Sequence, residues 1–294
     1  MSEHKVIACP VCGQPLHACG KNWRCDSGHS YDEARQGYLN LLLPQHKKSK
    51  APGDTLEMVD ARQRLLDSQL YRPISDSLNQ WTLEWALEQT MEKATEQAAD
   101  SSALQIADVG CGEGYYTQRL QQMLEDHLQP HQVYGVDISK DAIKRAARRS
   151  KNIDWLVATG GKLPFLPHSL DLIACLFTNL MPEGFRQVLK PAGQVVLLNT
   201  GGQHLFELRQ LIYDEVKINP LDPRPLMEAH GFHCQGEQVI KYPLTLNSNQ
   251  QIMDLLTMTP HRWKIRTEAL EHLQQLAQLT VTIDVVMHQF TLDD

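Results

Sequence analysis

The stretch Asp108-Val109-Gly110-Cys111-Gly112-Glu113-Gly114 narrows what this chain can fold into more than any other. It follows the short apolar-rich run 103–107 and precedes an amphipathic stretch from Tyr115 to Leu124. A second strand-like run, Val133-Tyr134-Gly135-Val136, ends on Asp137. Strand, glycine loop, helix, strand and acidic residue is the wiring of a nucleotide-binding α/β unit. The glycines let the backbone turn tightly and approach a ligand where a Cβ would collide. The carboxylate after the second strand can hold the two hydroxyls of a ribose. The spacing is G-x-G-x-G, with Asp108 two places before Gly110, and not the G-x-G-x-x-G of dinucleotide-binding loops.

The alternation continues. Residues 154–158, 171–177 and 194–199 read as a third, fourth and fifth strand, and 238–242 and 281–286 as the last two. That last pair flanks helix-like segments and lacks the crossover spacing of a single helix. A doubly wound, mostly parallel sheet with one antiparallel strand near its edge is therefore expected. Residues 87–102 read as a helix end and an exposed connector. With 294 residues, 42% of them apolar, the chain can bury a core for one large domain or two smaller ones. It has no run of about 18 apolar residues, and Met1 to Val6 show no apolar signal region. A cytoplasmic protein with no membrane partner is the expectation.

The first quarter carries a different chemistry. Four of the seven cysteines lie within residues 9–25, a spacing that favours metal binding over disulfides. Cys9-Pro10-Val11-Cys12 and Cys25-Asp26-Ser27-Gly28-His29 give C-x2-C-x12-C-x3-H. Tetrahedral zinc takes four N or S ligands, and a two-residue gap brings both sulfurs of one turn to one ion. Cys19 has no partner at that spacing and is read as a non-ligand. Four protein ligands leave no open position for water, so the site should be structural. Residues 1–75 carry ten Lys/Arg against eight Asp/Glu, and the remainder 18 against 27, within a formal net charge of −7. Any nucleic-acid contact must then use local patches, which the early segment with Lys47, Lys48 and Lys50 is expected to supply, and DNA is not an expected partner.

These residues carry a resemblance. The glycine loop with Asp108 and Asp137 resembles the first motif of class I S-adenosylmethionine (SAM) methyltransferases. The zinc spacing, Gly37-Tyr38-Leu39-Asn40-Leu41-Leu42, Gln45-His46-Lys47, Pro52-Gly53-Asp54, Cys111 to Thr117, Leu163-Pro164-Phe165, Lys190-Pro191, His204-Leu205 and Met258-Thr259-Pro260 resemble the bacterial 23S rRNA guanine-N1-methyltransferase family, RlmA-type. The resemblance spans nearly the whole chain in order. It implies a Rossmann-like fold with a seven-stranded sheet and a small zinc ribbon. The expected divisions are a zinc-binding domain at 1–45, a helical connector at 46–100 and a methyltransferase domain at 101–294. It implies zinc on Cys9, Cys12, Cys25 and His29. It implies SAM on Tyr71, Gly112, Glu113 and His204, with Asp137 on the ribose and Asp108, Gly110 and Gly114 completing the loop. The implied partner is 23S rRNA; the oligomeric state stays open, a homodimer included.

Three local readings accompany the resemblance. Asp54, with Glu57 three residues on, resembles a capping box that starts a helix running to about Leu70. In Lys190-Pro191-Ala192-Gly193, alanine stands where the family more often has glycine, and Gly193 is expected to supply the turn. The loop after the fourth strand, Thr178-Asn179-Leu180-Met181-Pro182, departs from the family's Ala-Pro-Cys, so no catalytic residue is named there. Glu113 can also be read as a helix-start charge, Tyr71 as core, His204 as a solvated helix start, and the three lysines as a solvated loop. Two rival functions remain: a SAM enzyme for a small molecule, and a nonenzymatic RNA-binding zinc protein.

Overall fold

Three short strands open the chain, and the rest winds into one sheet. The computed structural model describes residues 6–46, 52–95, 103–128 and 130–292; Lys47, Lys48 and Lys50 lie outside them. Strands β1 (His17–Cys19), β2 (Asn22–Arg24) and β3 (Ser30–Asp32) form a small antiparallel sheet, with Trp23 as its buried residue. β4 (Tyr38–Asn40) leaves it and is followed by α1 (Leu56–Asp67) and α2 (Arg72–Thr95). Then come β5 (Leu104–Val109), α3 (Tyr115–His127), β6 (His131–Asp137), α4 (Lys140–Arg149), β7 (Asp154–Val157) and β8 (Leu170–Leu176). The chain continues through α5 (Pro182–Val188), β9 (Leu189–Thr200), α6 (Phe206–Ile212), α7 (Arg224–Glu228), β10 (Phe232–Leu246), α8 (Asn249–Thr257), α9 (Thr267–Gln275) and β11 (Leu279–Leu292).

The large sheet has the order β10-β11-β9-β8-β5-β6-β7-β4. β11 runs antiparallel to both its neighbours, and the pairs from β9 to β4 are parallel. β5 and β8 are buried at every residue, as strands covered on both faces must be. Side-chain alternation splits the core in two. One face packs Leu65, Ile74, Leu120, Ile143 and Leu255 from the helices α1 to α4 and α8. The other packs α5 together with Ile7, Leu16 and Trp23 of the N-terminal module.

The sheet has eight strands where seven were expected. The eighth is β4, whose Tyr38, Leu39 and Asn40 pair with Trp155, Leu156 and Val157 at the edge. Three other local expectations shift. Thr55, not Asp54, caps α1 by accepting from the Met58 amide at 3.3 Å, and Asp54 instead pairs with Arg62. The helix ends at Asp67 rather than near Leu70, because Gln69 takes a left-handed φ of 64°. Ala192 itself holds the left-handed turn, at φ 59°. Gly193 serves space instead: a Cβ there would stand 2.7 Å from Leu189 Cγ.

Candidate cofactor and metal sites

In a parallel sheet, ligands bind at the carboxyl ends of the strands where the winding reverses. Here the chain runs β5, β6, β7 toward one edge and β8, β9 toward the other, so the reversal falls between β5 and β8. The loop 110–114 leaves β5 at that point. Its first turn is tied down by the Gly110 and Cys111 amides, which donate to Val136 O at 2.8 and 3.1 Å. The three glycines serve three needs. A Cβ on Gly110 would stand 2.7 Å from Thr178 of the loop after β8, and one on Gly114 only 2.6 Å from Trp155. Gly112 meets only Arg62 Nη1, at 3.7 Å, and so has the most room of the three.

Asp137 is held ready at the end of β6. Its Oδ2 accepts from the Gly112 amide at 2.9 Å and its Oδ1 from the Ser139 amide at 2.7 Å. Burial raises its pKa, opposed by those two amides. Each oxygen keeps a lone pair, which suits two vicinal hydroxyls. Asp108 is placed differently. It is buried beneath the loop, accepts from Thr117 Oγ1 at 2.6 Å, and is pushed up to about 7 by that burial. It orders the loop and the start of α3. Glu113, also buried, is engaged by Arg149, whose Nη2 lies 3.4 Å from its carboxylate while Nε donates to its carbonyl at 2.8 Å.

Aromatic side chains gather near the end of β8. Tyr71 and Tyr116 are buried, and neither hydroxyl has a hydrogen-bond partner. The Tyr116 ring lies 6.4 Å from Phe177, and Phe177 lies 6.2 Å from His204. Phe177 leads out of β8 with a left-handed φ of 54° and is 41% exposed. A non-glycine residue held there is strained, a state that gathers at functional sites. His204 follows β9; its Nδ1 accepts from the Asp284 amide at 3.3 Å, and burial lowers its pKa to about 4. The ring is therefore neutral near pH 7 with its hydrogen on Nε2, a donor and not a base.

Asp137 and the glycine loop are joined directly through the Gly112 amide, and His204 lies near Phe177 at the end of β8. Arg62, Arg149 and Phe177 escaped the sequence reading. A clue existed for one of them, the aromatic that closes the apolar run 172–177. For the arginines, brought in by α1 and α4, no local signal exists.

At the small sheet, the donor atoms of Cys9, Cys12, Cys25 and His29 all lie within 4.8 Å of one another. Cys12 and Cys25 sulfurs are 3.6 Å apart, and Cys25 Sγ is 3.4 Å from His29 Nδ1. A zinc tetrahedron with bonds of about 2.0–2.3 Å has edges of about 3.5–3.8 Å, so the cluster fits that ion. Gly28 turns between the second pair at φ 85°, and Cys19 stays exposed, apart from the cluster.

A family model described as RlmA, N-terminal, matches residues 7–50, and one described as a methyltransferase domain matches residues 106–202. A Streptomyces fradiae protein named 23S rRNA (guanine(748)-N(1))-methyltransferase is 31% identical over 262 residues, 88% of this chain and 86% of that one. The chain belongs to the 23S rRNA (guanine-N1)-methyltransferase family. Two further relatives bear the family name provisionally. One, from Micromonospora griseorubida, is 30% identical over 87% of this chain and 86% of its own. The other, from Bacillus subtilis, is 27% identical over 96% of both chains. The fold is that of a class I SAM methyltransferase with an N-terminal zinc ribbon, and the family's groups are SAM and zinc. Among the described residues, no helix is long and apolar enough to cross a membrane.

Proposed function

We propose that this chain transfers the methyl group of SAM to N1 of a guanine in 23S rRNA. The observation that carries the reading is the joining of the two modules. The ribbon's Ala8 amide donates to Pro164 O and the Leu166 amide to Val6 O, both at 2.9 Å, while β4 pairs with β7 at the edge of the large sheet. A small substrate needs no such second module, and a nonenzymatic RNA binder needs no prepared Asp137. The relatives' names support the same reading.

In this reading Cys9, Cys12, Cys25 and His29 hold zinc, which shapes the ribbon. Gly112 and Asp137 hold the cofactor, with Tyr71 and His204 across from them. SAM supplies a methyl group already activated on a sulfonium, so the chain's task is alignment. Guanine N1 lies on the base-pairing edge, so the base must be unpaired or flipped into the site. N1 also carries a proton that must leave. His204, neutral and donating through Nε2, is suited to fix an acceptor atom and not to take that proton. Asn179, exposed on the loop after β8, offers an amide to a base edge.

The test is methyl transfer from labelled SAM to unmodified 23S rRNA, followed by mapping of the product. Methylation at guanine N1 blocks base pairing and stops reverse transcription at one position. Label confined to a small molecule, or to another atom of the base, would overturn the assignment.

A further inference from the structure

We propose that the cavity at the carboxyl end of β9 seats the target guanine, and that His261 Nε2 takes the proton from its N1. This assignment rests on the guanine-N1 reading and names the proton acceptor which that reading requires. The cavity, of about 220 Å³, has Gly201, Gly202, His204, Arg209, Asn219 and His261 in its lining. It is smaller than the roughly 300–1,000 Å³ of sites for drug-sized ligands, a size that suits one flat ring system. It lies across the switch point from Asp137, because β9 stands beyond β8 and β5 as seen from β6. His204 joins it to the end of β8, where its ring is 6.2 Å from that of Phe177.

The walls are firmly placed. A Cβ on Gly201 would stand 2.5 Å from Asp284 Oδ1, and one on Gly202 2.7 Å from Ile218 Cγ2, so only bare backbone fits there. Arg209 of α6 fastens the rim. Its Nη1 donates to Gly202 O at 3.2 Å and to His204 O at 3.3 Å, and its Nη2 to Lys217 O in the segment that carries Asn219. Each histidine has its Nδ1 taken, which leaves Nε2 for the cavity. His204 Nδ1 accepts from the Asp284 amide, so its Nε2–H is a donor. His261 Nδ1 lies 2.8 Å from the Tyr213 hydroxyl, with the Tyr213 ring edge-on at 5.6 Å. When Nδ1–H donates to that oxygen, Nε2 keeps its lone pair.

The cavity then meets its occupant with one donor and one acceptor. The pairing edge of guanine is the complement, since O6 accepts and the adjacent N1–H donates. A phosphate, which only accepts, would leave the His261 lone pair unanswered. The charges around His261 keep it ready. Burial lowers its pKa from the ordinary 6.5, and Arg209 and Lys264 press the same way, so the ring is uncharged near pH 7. Of its other neighbours, Tyr213 and His204 are also neutral there, Arg262 is paired with Glu57, and Asp214 with Arg266. In the transfer the N1 proton passes to His261 Nε2. The pair left on N1 forms the N–CH3 bond, and the S–CH3 pair goes to sulfur, leaving S-adenosylhomocysteine. The imidazolium returns its proton to solvent.

The experiment uses the whole zinc-loaded protein. Nitrogen NMR of the ligand-free wild type reads the tautomers, with the His261 signals assigned by their loss in His261→Gln. An unprotonated Nε2 is expected for His261, and an unprotonated Nδ1 for His204. Methyl transfer to unmodified 23S rRNA is then followed against pH in both proteins, with S-adenosylhomocysteine and rRNA affinities measured by titration. His261→Gln should lower kcat about a hundredfold or more and leave both affinities near wild type. The wild-type kcat should rise with pH through a pKa below the ordinary histidine value and then level off. That of the variant should keep rising, because solvent base must then take the proton. An unprotonated Nδ1 in His261 would overturn the proposal. So would a wild-type kcat in His261→Gln, an unchanged pH profile, or a matching loss of cofactor affinity, which would show a structural role. A wild-type product mapped away from guanine N1 would instead overturn the reading on which the proposal rests.

Discussion

The zinc ribbon and the parallel sheet solve the same problem in opposite ways. The sheet buries β5 and β8 entirely and sets large side chains such as Trp155, Tyr134 and Phe185 into its two faces. The ribbon has strands of three residues, with β1 exposed throughout. Its few buried residues, Ile7, Leu16 and Trp23, belong to the same apolar cluster as Phe165 and Leu163 of the larger domain. Burial holds the sheet; four donor atoms and a borrowed apolar surface hold the ribbon. Units this small depend on a metal because their surface-to-volume ratio leaves too little to bury.

Removing a zinc ligand is the most forceful way to break that contrast. Cys25→Ser should take metal content, by elemental analysis, from one zinc per chain to none, since zinc is worth on the order of 10 kcal/mol to small zinc modules. The ribbon should lose its ordered amide signals while SAM binding is largely kept. Retained zinc would promote Cys19 to a ligand. A collapse of SAM affinity would show that ribbon and sheet are one cooperative unit, joined through the Ala8 amide on Pro164 O and the Leu166 amide on Val6 O.

Asp137→Ala tests the sheet's side. It removes two charge-assisted hydrogen bonds to a ribose, so SAM affinity should fall by roughly 3–5 kcal/mol at most, with zinc unchanged. Unaltered affinity by calorimetry would exclude the ribose role. Gly114→Ala probes packing instead. It forces a Cβ to 2.6 Å from Trp155 at φ 86°, and overpacking plus a left-handed alanine should cost about 2–4 kcal/mol in urea unfolding. A variant as stable as wild type would mean that Trp155 can give way.

A subtler test concerns pH. Asp108 is pushed up to about 7 from an ordinary value of 3.8, so the folded state holds its proton more tightly than the unfolded chain does. Its contribution to stability is full below about pH 4 and is lost as pH rises through 7. Asp108→Asn should therefore flatten the acid side of the stability profile relative to wild type, measured by urea midpoints between pH 4 and 8. Parallel profiles would show that Asp108 is ionised in the folded protein. The smallest effect belongs to Lys47, Lys48 and Lys50. Changing all three to alanine should weaken rRNA binding and lower its salt slope by about one unit per lost phosphate contact, with SAM affinity unchanged. Identical RNA affinity at every salt concentration would remove them from the RNA surface.

Where the sequence was legible, periodicity was strong. The apolar runs of β5, β6, β8 and β9 stand out because buried parallel strands are continuous, and the glycine loop and paired cysteines constrain backbone and metal at fixed spacing. Less was legible where neighbours compete. Asp54 and Thr55 are both good caps, and the choice fell to Thr55 because Arg62, one face along α1, claims the aspartate. β4 escaped because three residues joined to Leu41-Leu42-Leu43 show no period, and its partner β7 lies far along the chain. The left-handed turn at Ala192 was hidden by the glycine beside it. Tyr116 packs against Phe177, which is far from it in sequence.

The pairing of β4 with β7 also sets an order of assembly as the chain leaves the ribosome. All four zinc donors have emerged by His29, well before Leu163 and Phe165, the apolar surface on which the ribbon rests. β4 must then wait for residues 155–157 before it has a partner. His204 waits longer still, since the amide it accepts belongs to Asp284 in the last strand. Synthesis therefore supplies the donors of the metal site first and the last partner of His204 at the end.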